Sequence, residues 1–554
     1  MFPKLNTNIL QITIFFVFFL YLVLNVFLGL DLTDEMQYYG QVKGLLDTNR
    51  LFSNDLFIQQ TIYLLFFPLF KIHEYFFLDK GLVIFSRFIV FIISLSVTFY
   101  AYLQFNKLSN KTIVNLFAAL SLCLSIFFTG NFSLNYNSAS QILWILFLLN
   151  FLNWEEKNIV FFLFLFFLML FINPLMALSI ASILFIRYIF EKNLKEILFI
   201  ISSFFLIFIC YVFLLIKFSS PEILWTSIAF SQGFNIGSII EWKGIDFFLL
   251  FLIMFSFVIY FNKYLNFRLS NYYKSFYYLF FLATYLLATF FLTINSNYLI
   301  LIFCITFLYL TVSNIKVNES VIEKNKFKWQ IFSIFIFFLS AILFSSNGVK
   351  QGLSSLLIAL PLLIIYSNQL LFFKLMKKNI KVSPIFFIFI IFFLNNFLYS
   401  YRDNNIMYQS EEVDFIPAFY QIRVSPARYN FLKKTSESFE DLKNKETLIV
   451  SRFPVIYFSG FAKYETCMIF MHSIESSSSE ERLSQCLNSK KPEKIILVKE
   501  DSFPSDKNHR RINLLLEDYI EENLYLCDQN EIKFHNHNNF NPSYLNYLNC
   551  SFHQ

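Results

Sequence analysis

Asp34-Glu35-Met36-Gln37-Tyr38 follows an apolar stretch at 9–30 that is long enough to cross a bilayer. Two adjacent carboxylates at such a boundary are costly in lipid, so they must face water, a cation or a substrate cleft. A carboxylate there could act as general base toward a hydroxyl or amine acceptor. The acceptor would attack a sugar carbon opposite a departing lipid phosphate. The charge growing on that leaving group calls for a cation. Lys71, Arg87 and Lys243 are the candidates. Arg87 is the best of them, because an arginine inside an apolar span is expensive and usually paired. Each feature also has a plain structural alternative. The carboxylates could begin a solvated loop, the lysines could be interfacial cations with apolar stems, and Arg87 could pair with a helix-end carboxylate.

The elements that must position these residues are membrane helices. Of the 554 residues 57% are hydrophobic and only 15% are charged, against roughly a quarter charged in soluble chains. Mean hydropathy is +0.56. This composition excludes an ordinary cytosolic enzyme, a disordered chain and a nucleic-acid-binding protein. A spanning helix needs about 20 mostly apolar residues. Apolar stretches lie near 9–30, 82–105, 113–130, 138–152, 158–172, 174–190, 197–217, 246–262, 275–294, 297–313, 329–345, 352–373 and 383–400, about thirteen in all. The first is too long for a cleaved signal peptide and has no small-residue cleavage site after it. Asn173-Pro174 divides 158–190, because proline lacks an N–H and ends or kinks a helix. The stretch is one kinked helix or two short ones, and two keep the loop charges consistent.

Orientation follows from Lys and Arg in alternate short loops. With a cytoplasmic N-terminus, the inside segments hold eighteen such residues and the outside segments before 401 hold seven. An odd number of spans then places the C-terminal tail outside. Residues 31–80 form the first outer loop, with a short apolar piece at Ile62–Phe70 that is expected to lie in the interface. The loop at 218–245 carries Pro221, Glu222, Trp225, Trp242 and Lys243, which read as interfacial anchors or as a sugar-stacking lid.

The tail, 401–554, is long enough for one small domain. Thr447–Val450, Met468–Met471, Lys494–Val498 and Glu531–Phe534 read as strands, and Ser479–Asn488 and Asn508–Glu522 as helices. The alternation predicts a small α/β layer domain with no glycine-rich phosphate loop. Cys467, Cys486, Cys527 and Cys550 could form two disulfides in any of three pairings, or remain free buried thiols. His535 and His537, and likewise Cys467 and His472, lack the further ligands a metal would need.

The acidic pair, its place and the surrounding topology resemble the polytopic GT-C glycosyltransferases. Their protein O-mannosyltransferase and lipid A aminoarabinose transferase branches often read Asp-Glu and then an aromatic after helix one, as Asp34, Glu35 and Tyr38 do here. Gly40–Phe70 looks like the family's continuation, a short helix, a turn and an interfacial segment with Pro68. Arg87 stands where the family often has an arginine, and Pro454–Gly460 resembles a segment of its outer domain. The resemblance implies that Asp34 is the general base, that Glu35 orients it or the acceptor, and that Tyr38 packs in the cleft. The donor would be a polyprenyl-phosphate sugar. The acceptor stays open among lipid A, a polysaccharide, a protein and another glycolipid. One departure is plain. Many members carry a second acidic residue in the next outer loop, where Gly130–Ser138 has none. Asn135 and Asn137 could hydrogen-bond a sugar or donate to Asp34, but they are poor ligands for a hard cation. No cofactor is required, and a divalent metal is doubtful.

The expectation is therefore a polytopic α-helical membrane protein of about thirteen spans with a small C-terminal α/β extracytoplasmic domain. Its division is 1–400 and 401–554. The expected place is a bacterial plasma membrane, because the chain ends in no endoplasmic-reticulum retention signal. Competing classes are a transporter or flippase, an O-antigen polymerase or ligase, and an inactive scaffold. A transporter would show repeats and several deep charges, and no convincing repeat is found. A polymerase or ligase would carry its large outer loop between late helices.

Overall fold

The computed structural model describes residues 7–221, with gaps at 33, 53–57, 109, 128–131, 153–158 and 192–193. It then describes a few positions between 224 and 365, and 371–375, 378–382, 385–398, 403, 406–439, 447–450, 487–488, 492–498, 516–523, 525–533 and 544–552. The expected spans at 246–262, 275–294 and 297–313 lie outside these residues, as do most of those at 329–345 and 352–373.

The described residues are mostly helical. Among the described residues, three helices are long and apolar enough to cross a membrane: α1 (Thr7–Phe27), α4 (Leu82–Leu108) and α9 (Leu194–Phe218). Shorter apolar helices include α5 (Thr112–Ile126) and α7 (Ile159–Ile172). Between them run α6 (Tyr136–Leu152) and α8 (Pro174–Glu191), and α10 (Ile385–Leu398) packs on α5.

These helices are patterned for lipid. On α1, Ile9, Ile12, Phe16, Leu20, Leu24 and Phe27 recur at helical spacing and are exposed, while Tyr21, Leu22, Asn25 and Val26 are buried. On α4, Phe88, Ile92, Phe99 and Leu103 face outward, whereas Arg87, Ser94 and Thr98 lie inside. Polar residues inside and apolar residues outside suit a hydrocarbon solvent.

The Asn173-Pro174 step gives two helices that pack on each other. Asn173 ends α7 by donating its N–H to Met169 O at 2.7 Å. Its side-chain Oδ1 then accepts the Met176 N–H at 3.1 Å and so caps α8. Pro174 takes the first helical position, where its missing N–H costs nothing.

The segment between α1 and α4, expected as the first outer loop, is built of α2 (Asp34–Thr48), a 3-10 turn (Ile58–Thr61) and α3 (Ile62–Phe77). The helix α3 is longer than the expected Ile62–Phe70 piece and continues through Pro68. Its outer surface carries exposed Leu69, Ile72, Phe76 and Phe77. Several helix ends meet this segment. Thr61 Oγ1 donates to Phe171 O at the end of α7, and the Leu51 N–H donates to Phe218 O at the end of α9. Tyr63 Oη donates to Leu134 O just before α6. The end of α1 and the start of α4 join it through Arg87, as described below. At the opposite end of α6 and α8, the Arg187 guanidinium lies 5.2 Å from the Phe151 ring.

Residues 371–382 differ from expectation. They form an antiparallel hairpin, β1 (Leu371–Leu375) and β2 (Lys378–Val382), so the apolar stretch drawn to 373 ends in a strand. Only Met376 and Lys377 lie between the paired strands.

The tail divides in two. Residues 411–439 carry β3 (Glu411–Val413), β4 (Ile422–Val424) and α11 (Pro426–Ser438). Their apolar residues Val413, Phe419, Val424 and Leu432 belong to the core of the helical body. This part of the tail therefore packs against the helical body. Beyond it, β5 (Thr447–Val450), β6 (Lys494–Val498), β7 (Tyr525–Lys533) and β8 (Tyr544–Phe552) form a sheet in the order β5-β6-β8-β7, parallel only between β5 and β6. Ile495 and Leu497 pack with Leu516 and Ile520 of the helix at 516–522, and Ile496 joins the other core, as strand alternation requires. The strand β8 was not anticipated, and β7 is longer than the expected piece. Cys527 and Cys550 stand opposite each other on β7 and β8 and are joined by a disulfide. The expected Met468–Met471 strand and Cys467, His472, Cys486, His535 and His537 lie outside the described residues.

Candidate functional site

The site is built on the turn from α1 to α2. A helix ends with four carbonyls lacking intrahelical partners. Here a guanidinium from α4 supplies one of them and two carbonyls just beyond the helix. Arg87 Nη1 donates to Val26 O at 3.3 Å and Leu28 O at 3.2 Å, and Nη2 donates to Gly29 O at 2.8 Å. A cation at a helix C-terminus also suits the helix dipole. Gly29 has φ +78°, the left-handed conformation that glycine adopts without strain.

The same guanidinium grips Glu35 with a two-pronged fork. Nε donates to Oε1 at 2.9 Å and Nη2 to Oε2 at 2.8 Å, and both side chains are 0% exposed. Glu35 Oε2 also accepts the Asp31 N–H at 3.1 Å. Tyr39 Oη lies 3.3 Å from both Glu35 Oε1 and Val83 O, with one proton to donate to either. An arginine has five N–H donors, and these contacts engage all of them. The structure thus gives Arg87 a partner set with no donor left for a lipid phosphate. Of its two sequence readings, pairing with a helix-end carboxylate is the one the geometry supports. Glu35, expected among the catalytic groups, is held as that partner. It fixes the first turn of α2 and would have to abandon a buried charge to do proton chemistry.

Asp34 is the first residue of α2, and its side chain lies outside the described set. A carboxylate in the first turn of a helix is favoured by the dipole. In helical register, position 34 shares a face with 37, 38 and 41. Gln37, Tyr38 and Gln41 on that face are buried, which is unusual for a segment this polar. Tyr38 meets Tyr136 edge to face, with centroids 6.2 Å apart. The α2 segment and the start of α6 are thereby brought together.

Asn135 does not offer itself to a sugar. It is the N-cap of α6: Oδ1 accepts the Asn137 N–H at 2.8 Å and the Ser138 N–H at 2.9 Å. Its amide donates to Ser133 O and Ser133 Oγ at 3.0 and 3.1 Å. Asn137 follows in the first turn of α6, half-buried, with its backbone tied to that cap. Asn135 thus engages both its oxygen and its amide in capping.

Lys71 bridges α3 to the end of α2. Its Nζ donates to Leu46 O at 2.6 Å and to Glu74 Oε2 at 2.8 Å. It also lies 5.6 Å from the Phe67 ring. At 35% exposure it is the more accessible of the predicted cations within the described residues, compared with the sealed Arg87. Lys243 lies outside the described residues, as do Glu222, Trp225 and Trp242.

Sequence reasoning passed over Lys43. It contacts Asp47 at 2.7 Å and Asp79 at 2.8 Å, tying α2 to the α3–α4 turn. Burial pulls the Lys43 ammonium down, but the hydrogen bonds and charges of the two carboxylates outweigh it, and its pKa stands above the ordinary lysine value. Burial raises Asp47 above the ordinary carboxylate value despite Lys43. An i, i+4 spacing of Lys43 and Asp47 was the available signal. Sequence reasoning also passed over Arg428 and Asp403, a second buried pair close to the same turn.

Among the described residues, no group of three or more His, Cys, Asp or Glu is placed to hold a metal ion. No family model, curated protein or solved structure matches the chain.

Proposed function

We propose that this chain is an integral membrane glycosyltransferase. It moves a sugar from a polyprenyl-phosphate donor to an acceptor on the extracytoplasmic face. Asp34 is the general base, drawing the proton from the acceptor hydroxyl or amine as the acceptor attacks the sugar carbon. The lipid phosphate leaves from the opposite side, so the sugar configuration inverts. Lys71 is the better placed of the described cations to meet that phosphate, and Lys243 is the other candidate.

The observation that carries this reading is the unequal treatment of two adjacent carboxylates. Glu35 is sealed into a fork with Arg87 at the end of the first helix. This fixes the backbone that presents its neighbour, Asp34, at the start of α2. Such a supporting shell is what a positioned general base requires. The meeting of Tyr38 and Tyr136 adds a shared wall from the second outer loop.

The finer topology belongs to the same reading. Thirteen spans, a cytoplasmic N-terminus and an outward tail would put the ends of α1, α7 and α9 and the starts of α4 and α6 at the outer face. All of these contact the first outer loop or the turn before it. A disulfide between Cys527 and Cys550 suits an oxidising compartment, as a bacterial plasma membrane facing the periplasm would provide.

The test is mass spectrometry of lipid extracts from cells with the intact gene, a deletion, and Asp34→Asn. The expected result is a polyprenyl-phosphate sugar that accumulates in both altered strains, together with loss of one glycosylated product, which names the acceptor. An unchanged donor pool and unchanged glycans, with the protein present, would overturn the proposal.

A further inference from the structure

A segment of the tail is strapped across the α1–α2 turn. The Arg428 side chain is buried, and its Nη1 donates to Leu30 O. Asp403 Oδ1 lies 3.8 Å from Arg428 Nε, and Asp403 is buried with it. Ser425 joins the pair, donating its N–H to Asp403 Oδ2 at 3.0 Å and its hydroxyl to Oδ1 at 2.5 Å. The Ser425 side chain also accepts the Arg428 N–H as the N-cap of α11. Two backbone contacts run alongside. The Gly29 N–H donates to Arg423 O at 2.7 Å, and the Gly81 N–H donates to Pro417 O at 2.9 Å. Lys80 lies 4.0 Å from the centre of the Tyr420 ring. The strap thus touches both ends of the segment between α1 and α4.

The placement has a chemical consequence. Arg87 holds the carbonyls of Val26, Leu28 and Gly29, and Arg428 holds the next one, Leu30. Three residues separate Leu30 from Asp34. The strap continues into the sheet domain, with Lys434 Nζ donating to Lys533 O and the Phe439 ring 5.1 Å from that of Tyr547.

We propose that the 403–439 strap is part of the reaction scaffold, with Arg428 and Asp403 as positioning residues that hold the α1–α2 turn so that Asp34 meets the acceptor. This rests on the transferase reading above. Loss of either group leaves the other buried charge or the Leu30 carbonyl without its partner, and the turn loosens.

The test uses the full chain in nanodiscs of phosphatidylethanolamine and phosphatidylglycerol. Amide hydrogen exchange over 28–39 is measured for Arg428→Lys and for Arg428→Met combined with Asp403→Leu. The double variant removes the pair without stranding a charge, so it keeps the test open if the single one fails to fold. Lys434→Met, at an exposed strap-to-sheet contact, is the control. The same variants are scored in cells for accumulation of polyprenyl-phosphate sugar, per amount of folded protein. The expected result is at least about tenfold faster exchange in the turn, as a lost contact of that kind gives, with a matching loss of transfer per folded molecule. The control should change neither. Unchanged exchange overturns the strap's role. Faster exchange with full transfer per folded molecule overturns it too, since a merely structural contact lowers the amount of protein and not its specific rate. An intact strain indistinguishable from a deletion strain defeats the transferase reading itself, a result the exchange measurement cannot produce.

Discussion

Two arginine–carboxylate pairs grip the same turn, and they are built differently. Arg87 and Glu35 form a two-pronged fork at 2.8 and 2.9 Å, with the guanidinium's remaining donors on the end of α1. Arg428 and Asp403 approach only to 3.8 Å, and Ser425 takes up both carboxylate oxygens. The first pair joins two helices of the same body, 52 positions apart in the chain. The second brings the tail to a carbonyl 398 positions away. A bidentate pair fixes geometry as well as charge. The looser pair ties a distant segment to a turn already shaped. The difference suggests that the first pair makes the site and the second couples the tail to it.

Breaking the first pair should have the largest effect. Arg87→Met leaves Glu35 charged in a sealed interior, and stranding a buried charge costs about 3–5 kcal/mol. The measurement is the melting temperature and yield of monodisperse protein in detergent. Arg87→Met combined with Glu35→Leu should recover much of that loss. Failure to recover would mean that the α1 carbonyls, and not the ion pair, are the larger part.

The second pair should cost less. Asp403→Asn retains a hydrogen-bonding group beside Ser425 but removes the charge facing Arg428, for about 1.5–3 kcal/mol. A loss equal to that of Arg87→Met would erase the distinction drawn here. Smaller effects are expected at the caps. Asn135→Ala and Asn173→Ala each remove a side-chain acceptor at a helix start, at about 1 kcal/mol, and thermal melts of the two should be similar.

The weakest contribution should come from Lys43, whose partners are partly exposed. Asp79→Asn should change stability by under about 1 kcal/mol, and the change should shrink in high salt. The sign of its pH dependence follows from the raised Lys43 pKa. The Lys43 contribution is fully present below the ordinary lysine value of 10.5 and is lost as pH rises through the higher folded value. Asp47 works in the same sense, in the acid range. Its raised pKa means that stability falls as pH climbs from the ordinary value of 3.8 through the folded one. Alkaline melts of the intact chain and Asp79→Asn should converge.

Local patterns were readable in the sequence, and long-range partners were not. The break at Asn173-Pro174 was legible because proline and an N-cap asparagine act within a few residues. The strands at Thr447–Val450 and Lys494–Val498 were legible as short apolar runs between polar ones. In contrast, β8 reads Tyr-Leu-Asn-Tyr-Leu-Asn-Cys-Ser-Phe, a pattern of three that hides the two-residue period of a strand. Arg87 was recognised as an expensive charge needing a partner, and Glu35 was recognised as part of an acidic pair. Nothing local shows that the two meet across 52 positions. Arg428 and Asp403 lie in a polar tail, where a charge ordinarily means a wet surface. The sequence leaves the four tail cysteines open among three pairings or free thiols, since connectivity depends on strand register. Asn135 shows the converse, since an asparagine just before an apolar helix is a local capping signal and serves as one here.

The central claim is that two neighbouring carboxylates have separate tasks, chemistry for Asp34 and structure for Glu35. The most direct measurement places Asp34→Asn and Glu35→Gln side by side in one preparation, scoring sugar transfer per folded molecule together with the melting temperature. The account predicts that Asp34→Asn melts like the intact chain and transfers nothing, while Glu35→Gln melts far lower. An Asp34→Asn protein that still transfers, or a Glu35→Gln protein as stable as the intact chain, would contradict it.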